Sequence, residues 1–120
     1  MNIETLRRYC LDKPGVSEGF PFDNTTLVFK VAGKMFALLN LDGEPRINLK
    51  CNSEKALALR EHYPEVIPGY HMNKRLWNTV VLNGTLDNDL VKLWIDDSYQ
   101  LVVAKLPKKD REKLVQASVK

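Results

Sequence analysis

Thr25-Thr26-Leu27-Val28-Phe29-Lys30-Val31-Ala32-Gly33-Lys34-Met35-Phe36-Ala37-Leu38-Leu39-Asn40-Leu41 is the stretch on which the fold turns. Leu27, Phe29 and Val31 alternate with Val28 and Lys30, the period of two that a strand requires, and Met35 to Leu41 continues after Ala32-Gly33-Lys34. The two runs read as a hairpin. Asp42-Gly43 is a second turn signal, and Arg46 to Lys50, with Ile47 and Leu49 on one face, supplies a third strand. A three-stranded antiparallel meander follows.

Outward from this meander, Asn2 caps a first helix in which Ile3, Leu6, Cys10 and Leu11 recur at helical spacing, with Glu4 near the positive end of the dipole. Pro14-Gly15 stops it. Glu18 to Asn24 has no clean period and reads as a loop whose Phe20 and Phe22 plug the core. Covering a sheet edge is the structural role for such a loop, and a ligand lid the functional one.

On the other side, Asn52 or Ser53 caps a helix through Ala56, Leu57, Leu59 and Arg60, whose apolar face is expected to cover the sheet before Pro64 ends it. Val66-Ile67-Pro68-Gly69 is short and extended. In Leu76 to Leu82, a further strand, Trp77, Thr79 and Val81 face opposite to Leu76, Asn78, Val80 and Leu82, and Asn83-Gly84 turns the chain. Asp87 or Asn88 caps the longest helix, with an inward stripe expected at Leu90, Leu93, Trp94, Leu101 and Ala104 and with Asp96-Asp97 toward solvent. Pro107 can start a short helix in the basic tail. The fold class is α+β: an antiparallel sheet with helices packed on one face, in one domain over residues 1–120.

The 120 residues are 44% hydrophobic, enough for one ordinary core. Eighteen Lys plus Arg against fifteen Asp plus Glu leave a net charge of +3, which permits an anionic partner and makes the placement of the charges decisive. The start of the chain carries charge where a signal peptide has its apolar run, and no apolar run is long enough to span a bilayer, so a cytoplasmic protein without membrane contact is expected. Cys10 and Cys51 lack paired metal or redox spacing and are expected to be reduced thiols.

Catalytic and metal chemistry find little to work with. His62, His71 and the two cysteines are isolated, and Asp96 and Asp97, as neighbours on a helix, diverge by about 100 degrees. Ser17, Ser53 and Ser98 stand in no nucleophile-elbow context, and no glycine-rich phosphate cradle is present. Neither an enzyme nor a cofactor site is expected.

The segment richest in recognition chemistry is Pro68-Gly69-Tyr70-His71-Met72-Asn73-Lys74-Arg75-Leu76-Trp77-Asn78-Thr79, which combines aromatics, an imidazole, an amide and two cations. That mixture suits a flat, anionic partner. Trp77 reads either as core or as a base-stacking ring, His71 as a surface hydrogen-bonder or a proton carrier, and Lys74 with Arg75 as the solvated start of a strand or as phosphate contacts.

The same segment, together with Val31 to Ala37, Asn48 to Cys51, Asp97 to Val102 and Lys105 to Lys108, resembles the MmcQ/YjbR family of small bacterial proteins described as DNA-binding. The resemblance implies a fold similar to that of the frataxin-like CyaY group. Frataxin-like proteins bind iron through an acidic ridge, whereas Glu4 and Asp12 here stand among Arg7, Arg8 and Lys13, so iron binding is not implied. The expected ligand is DNA, held without strong sequence preference through hairpin wings by Lys34, Lys50, Tyr70, His71, Asn73, Lys74, Arg75, Lys105, Lys108 and Lys109. The alternative is a protein-interaction or chaperone-like adaptor that uses the exposed sheet face and the Tyr70 to Trp77 ridge on a protein partner. A monomer is expected in either case. Cations gathered on one face favour DNA; dispersed cations with an apolar patch favour the adaptor.

Overall fold

The computed structural model describes residues 2–69 and 72–118. Helix α1 (Ile3–Leu11) leads into β1 (Val16–Gly19), β2 (Thr26–Val31), β3 (Lys34–Asn40) and β4 (Arg46–Lys50), after which α2 (Ser53–His62) crosses to β5 (Val66–Pro68). Strand β6 (Trp77–Val81) then precedes α3 (Asn88–Ala104) and α4 (Lys108–Ser118). All pairings in the six-stranded sheet are antiparallel, in the order β1-β2-β3-β4-β6-β5. The meander gains a strand in front of it, and β6 inserts between β4 and the edge strand β5.

Local chemistry sets the boundaries. Asn2 Oδ1 accepts from Thr5 N at 2.7 Å and Asn52 Oδ1 from Lys55 N at 2.8 Å, each capping its helix. Val31 pairs with Lys34 across Ala32 (φ 49°) and Gly33 (φ 80°), the two positive φ values that match a two-residue turn to the twist of its strands.

The helices cover one face of the sheet. Leu27, Phe29, Val31, Phe36, Ala37, Leu39, Ile47, Leu49 and Val80 point into that core, where Leu6 and Cys10 of α1 and Val91, Trp94, Ile95 and Val102 of α3 meet them. A β-bulge lets Phe36 and Ala37 both face inward, because Lys30 pairs with Met35 and Phe29 with Ala37, leaving Phe36 without a partner on β2. Cys10 and Cys51 are buried free thiols, and burial pushes Cys10 up to about 12.

Three side-chain expectations are corrected. Phe20 and Phe22 do not plug the core but are 49% and 64% exposed. Strand β1 uses the start of their loop, and Asp23 Oδ1 accepts from Thr25 N (3.0 Å) and Thr26 N (2.7 Å), which holds the loop outside the sheet. The inward stripe of α3 is Val91, Trp94, Ile95, Ser98, Tyr99 and Val102, while Leu93 and Ala104 are exposed. Counting only apolar residues rotates that stripe, because Ser98 and Tyr99 are buried by hydrogen bonds to the Phe36 and Pro14 carbonyls (2.5 and 2.6 Å). On α2, Ala56 is buried against the core but Leu57 is 57% exposed, since this helix reaches only the β5-β6 border of the sheet.

Candidate functional site

The antiparallel register sorts charge to the two ends of the sheet. At one end, segments 20–25, 41–45, 64–65 and 82–87 carry Asp23, Asp42, Glu44, Glu65 and Asp87 and no Lys or Arg. At the other end, where β2 and β4 finish and β3 and β6 begin, segments 32–35, 50–52, 72–76 and 105–109 carry Lys34, Lys50, Lys74, Arg75, Lys105, Lys108 and Lys109 and no Asp or Glu. The net charge of +3 is therefore unevenly placed along the strands, although Arg46 stands at the acidic end and Asp12 precedes β1 at the other.

Lys34, Lys50 and Lys105 converge there on one shallow cavity of about 350 Å³, with Trp77, Met35 and Pro107 in its wall. Among the described residues these three lysines form no ion pair, whereas Lys13 is paired with Asp96, Lys55 with Asp97 (2.6 Å) and Arg7 with Glu18 (2.6 Å). Partial burial, and next the nearby Lys105 charge, hold the Lys50 ammonium below the ordinary lysine value.

Ser98 builds this cleft from behind. Its buried hydroxyl donates to the Phe36 carbonyl and accepts from Lys50 N at 2.9 Å, bridging β3 and β4 just beyond the Ala37–Leu49 pair. It thereby joins α3 to the start of β3 and the end of β4, the two places that present Lys34 and Lys50. Arg60 does the same for the turn before β6: Nε donates to Asn78 Oδ1 at 2.7 Å and Nη2 to the Lys74 carbonyl. Gly69 completes the support, since a Cβ there would lie 2.8 Å from the Trp77 carbonyl that accepts its N–H at 3.0 Å.

The expected site residues divide accordingly. Lys34, Lys50 and Lys105 come together. Lys74 and Arg75 are exposed in the turn leading to β6, and Asn73 shapes that turn, its Oδ1 accepting from Arg75 N at 2.9 Å and its carbonyl from Trp77 N at 2.9 Å. Lys108 and Lys109 are exposed at the start of α4, just beyond the cleft, with Lys108 Nζ 3.9 Å from Glu112. Tyr70 and His71 lie outside the described residues.

Trp77 is 8% exposed, yet it lies on the face of the sheet that the helices leave bare. It packs on Val28 and Leu38, with Met35, Met72 and Leu76 around them. Its edge also lines the lysine cleft, so core and site share the ring. Two residues further along the strands, the bare face holds a second cavity, of about 490 Å³, lined by Phe22, Leu38 and Met72 and by the polar Asp23, Asn40, Arg46, Asn48 and Thr79. The sequence reading did not name Asn48, Thr79 or Phe22 as site residues. Alternation carried the signal for Asn48, which stands out of phase with the buried Ile47 and Leu49 of its strand, whereas Thr79 is itself buried in a strand buried on both faces.

Among the described residues no three His, Cys, Asp or Glu side chains gather as a metal site, and no helix is long and apolar enough to cross a membrane. The fold and the cleft define a small α+β protein with a cationic hollow beside a half-bare antiparallel sheet. The chain belongs to the YjbR family, whose model matches residues 11–101. It is similar to the uncharacterised protein YbdF of Escherichia coli O157:H7, 40% identical over 112 residues and 92% of each chain. It is also similar to the uncharacterised protein YjbR of Escherichia coli K12, 36% identical over 117 residues, 97% of this chain and 99% of that one. Among solved structures, Deinococcus radiodurans protein DR2400 superposes with a TM-score of 0.88 at 40% identity, over 95% of this chain and 88% of that one. A Pseudomonas syringae protein superposes at 0.75 with 31% identity, over 84% of this chain and 98% of that one.

Proposed function

We propose that this protein is a non-catalytic module that binds DNA through phosphate contacts at the lysine-rich end of its sheet. The observation that carries the reading is the convergence of Lys34, Lys50 and Lys105 on one cavity beside Trp77 with no carboxylate in its lining. Three cations held together with no ion pair among the described residues suit a phosphate better than a neutral partner. The flanking Lys74, Arg75, Lys108 and Lys109, all exposed, extend the same end and can follow a backbone from one phosphate to the next.

So few contacts give weak, sequence-tolerant binding, about micromolar or weaker at physiological salt. Affinity on duplex DNA should fall with salt by about 0.9 log units per neutralised phosphate. Fluorescence anisotropy at two salt concentrations, on wild type and on a K34Q/K50Q/K105Q variant, tests the reading. The variant is expected to bind more weakly and with a shallower salt slope while keeping its melting temperature. If the wild type shows no salt-sensitive binding at low ionic strength, the DNA reading fails and a protein partner takes its place.

A further inference from the structure

The lysine cleft and the larger cavity are consecutive along the same strands. Lys50 lines the first and Asn48 the second; Trp77 lines the first and Thr79 the second. Residues two apart on a strand share a face and lie about 7 Å from each other. A bound chain that places a charge at Lys50 therefore has its next group over Asn48 and Thr79.

The second cavity has a form that a charge alone does not explain. Phe22, Leu38 and Met72 give it apolar surface, and Asp23, Asn40, Asn48 and Arg46 line it with Thr25, Thr26 and the buried Thr79, whose hydroxyl donates to Asn48 Oδ1 at 2.6 Å. A cavity that sets apolar surface beside amides, a carboxylate and a guanidinium fits a flat heterocycle, which stacks by its faces and hydrogen-bonds by its edge. Phe22 is 64% exposed, and the Asp23 turn holds its loop in place by accepting from two backbone N–H groups. An aromatic ring kept over a cavity in this way is a stacking surface without its partner.

We propose that the bare face of the sheet takes an unpaired base of a single-stranded nucleic acid, stacked on Phe22 in the larger cavity, while a phosphate of the same strand rests among Lys34, Lys50 and Lys105. The sugar joins the two groups of a nucleotide, and the strand step joins the two cavities. In a duplex the bases are stacked and paired, so the phosphates can reach the lysines but the second cavity stays unfilled. The inference rests on the phosphate-binding reading above and adds the strandedness of the ligand and the site of the base.

The test compares three probes by fluorescence anisotropy: an oligodeoxythymidylate, an abasic oligonucleotide of the same length, and a duplex of that length. The intact single strand is expected to bind about tenfold more tightly than the abasic one, as stacking of an unpaired base implies. That ratio should persist as salt is raised, because stacking releases no counter-ions, whereas the affinities themselves fall. Phe22→Ala, at an exposed position, is expected to leave the melting temperature and the abasic and duplex affinities unchanged and to remove most of the tenfold advantage. Equal binding of intact and abasic strands, or tighter binding of the duplex, overturns this inference and leaves the phosphate reading standing. No binding of any probe at low salt overturns both.

Discussion

On the helix-covered face of the sheet, Leu27, Phe29, Ile47 and Ile95 are all at most 5% exposed, within one continuous core. On the bare face, one position along the same strands, the partly exposed Lys30, Asn48 and Lys50 share the surface with buried Thr79 and with a buried cluster of three residues, Val28, Leu38 and Trp77. Because side chains alternate, a strand can give one set of residues to stability and the neighbouring set to a ligand. The two demands meet at Trp77, whose ring is shared by a buried cluster and the cleft, and at Ser98, where the packing of the first face positions the lysines at the end of the second.

The sharpest way to break this division is to damage each face separately. Phe29→Ala on the covered face should cost about 3 to 5 kcal/mol in urea unfolding, as a fully buried ring is lost from a packed core. The fraction that remains folded should bind DNA with an unchanged salt slope. Loss of binding in folded protein would show that the faces are not independent.

Trp77→Ala acts on the bare face, where the cluster is shallow, and a cost of about 3 kcal/mol, the lower end for a buried Trp, is expected. Here DNA binding should weaken as well, since the ring also walls the lysine cleft. A melting temperature equal to wild type with binding lost would instead make the ring a pure stacking platform.

Ser98→Ala tests the joint between the faces. It leaves the Phe36 carbonyl and the Lys50 N–H without their shared partner, for a cost of about 1 to 3 kcal/mol, and it should lower affinity by letting the end of β4 shift. Unchanged affinity alongside lowered stability would confine Ser98 to the core.

The meander, the Asn2 cap, Asn52 as one of two candidate caps, the strand over Leu76 to Leu82 and the helix after Pro107 were legible because alternation and capping are local signals. Strand β1 was not, since Val16-Ser17-Glu18-Gly19 offers one large apolar residue and forms only by pairing with β2. The face of α3 misled for a related reason: a serine and a tyrosine become inward residues once the Phe36 and Pro14 carbonyls supply their partners. Lys34, Lys50 and Lys105 were named one by one as cations, but their meeting depends on how three distant segments pack. Phe22 was assigned to the core because its hydrophobicity says nothing of which side of the sheet its loop takes. The ion pairs that neutralise Lys13, Lys55 and Arg7 are likewise long-range, and they explain why these cations stand outside the site.

The most direct measurement is a titration of the protein with a short oligonucleotide at low ionic strength, followed by backbone amide chemical shifts. Amides of residues 32–35, 50–51, 74–77 and 104–106, at the lysine-rich end, are expected to move together with one affinity, and those of 41–44 and 83–87, at the acidic end, to stay in place. Raising the salt concentration should reverse the shifts. Shifts that are absent, or that centre on the acidic end or on the outward sides of the helices, would contradict the account.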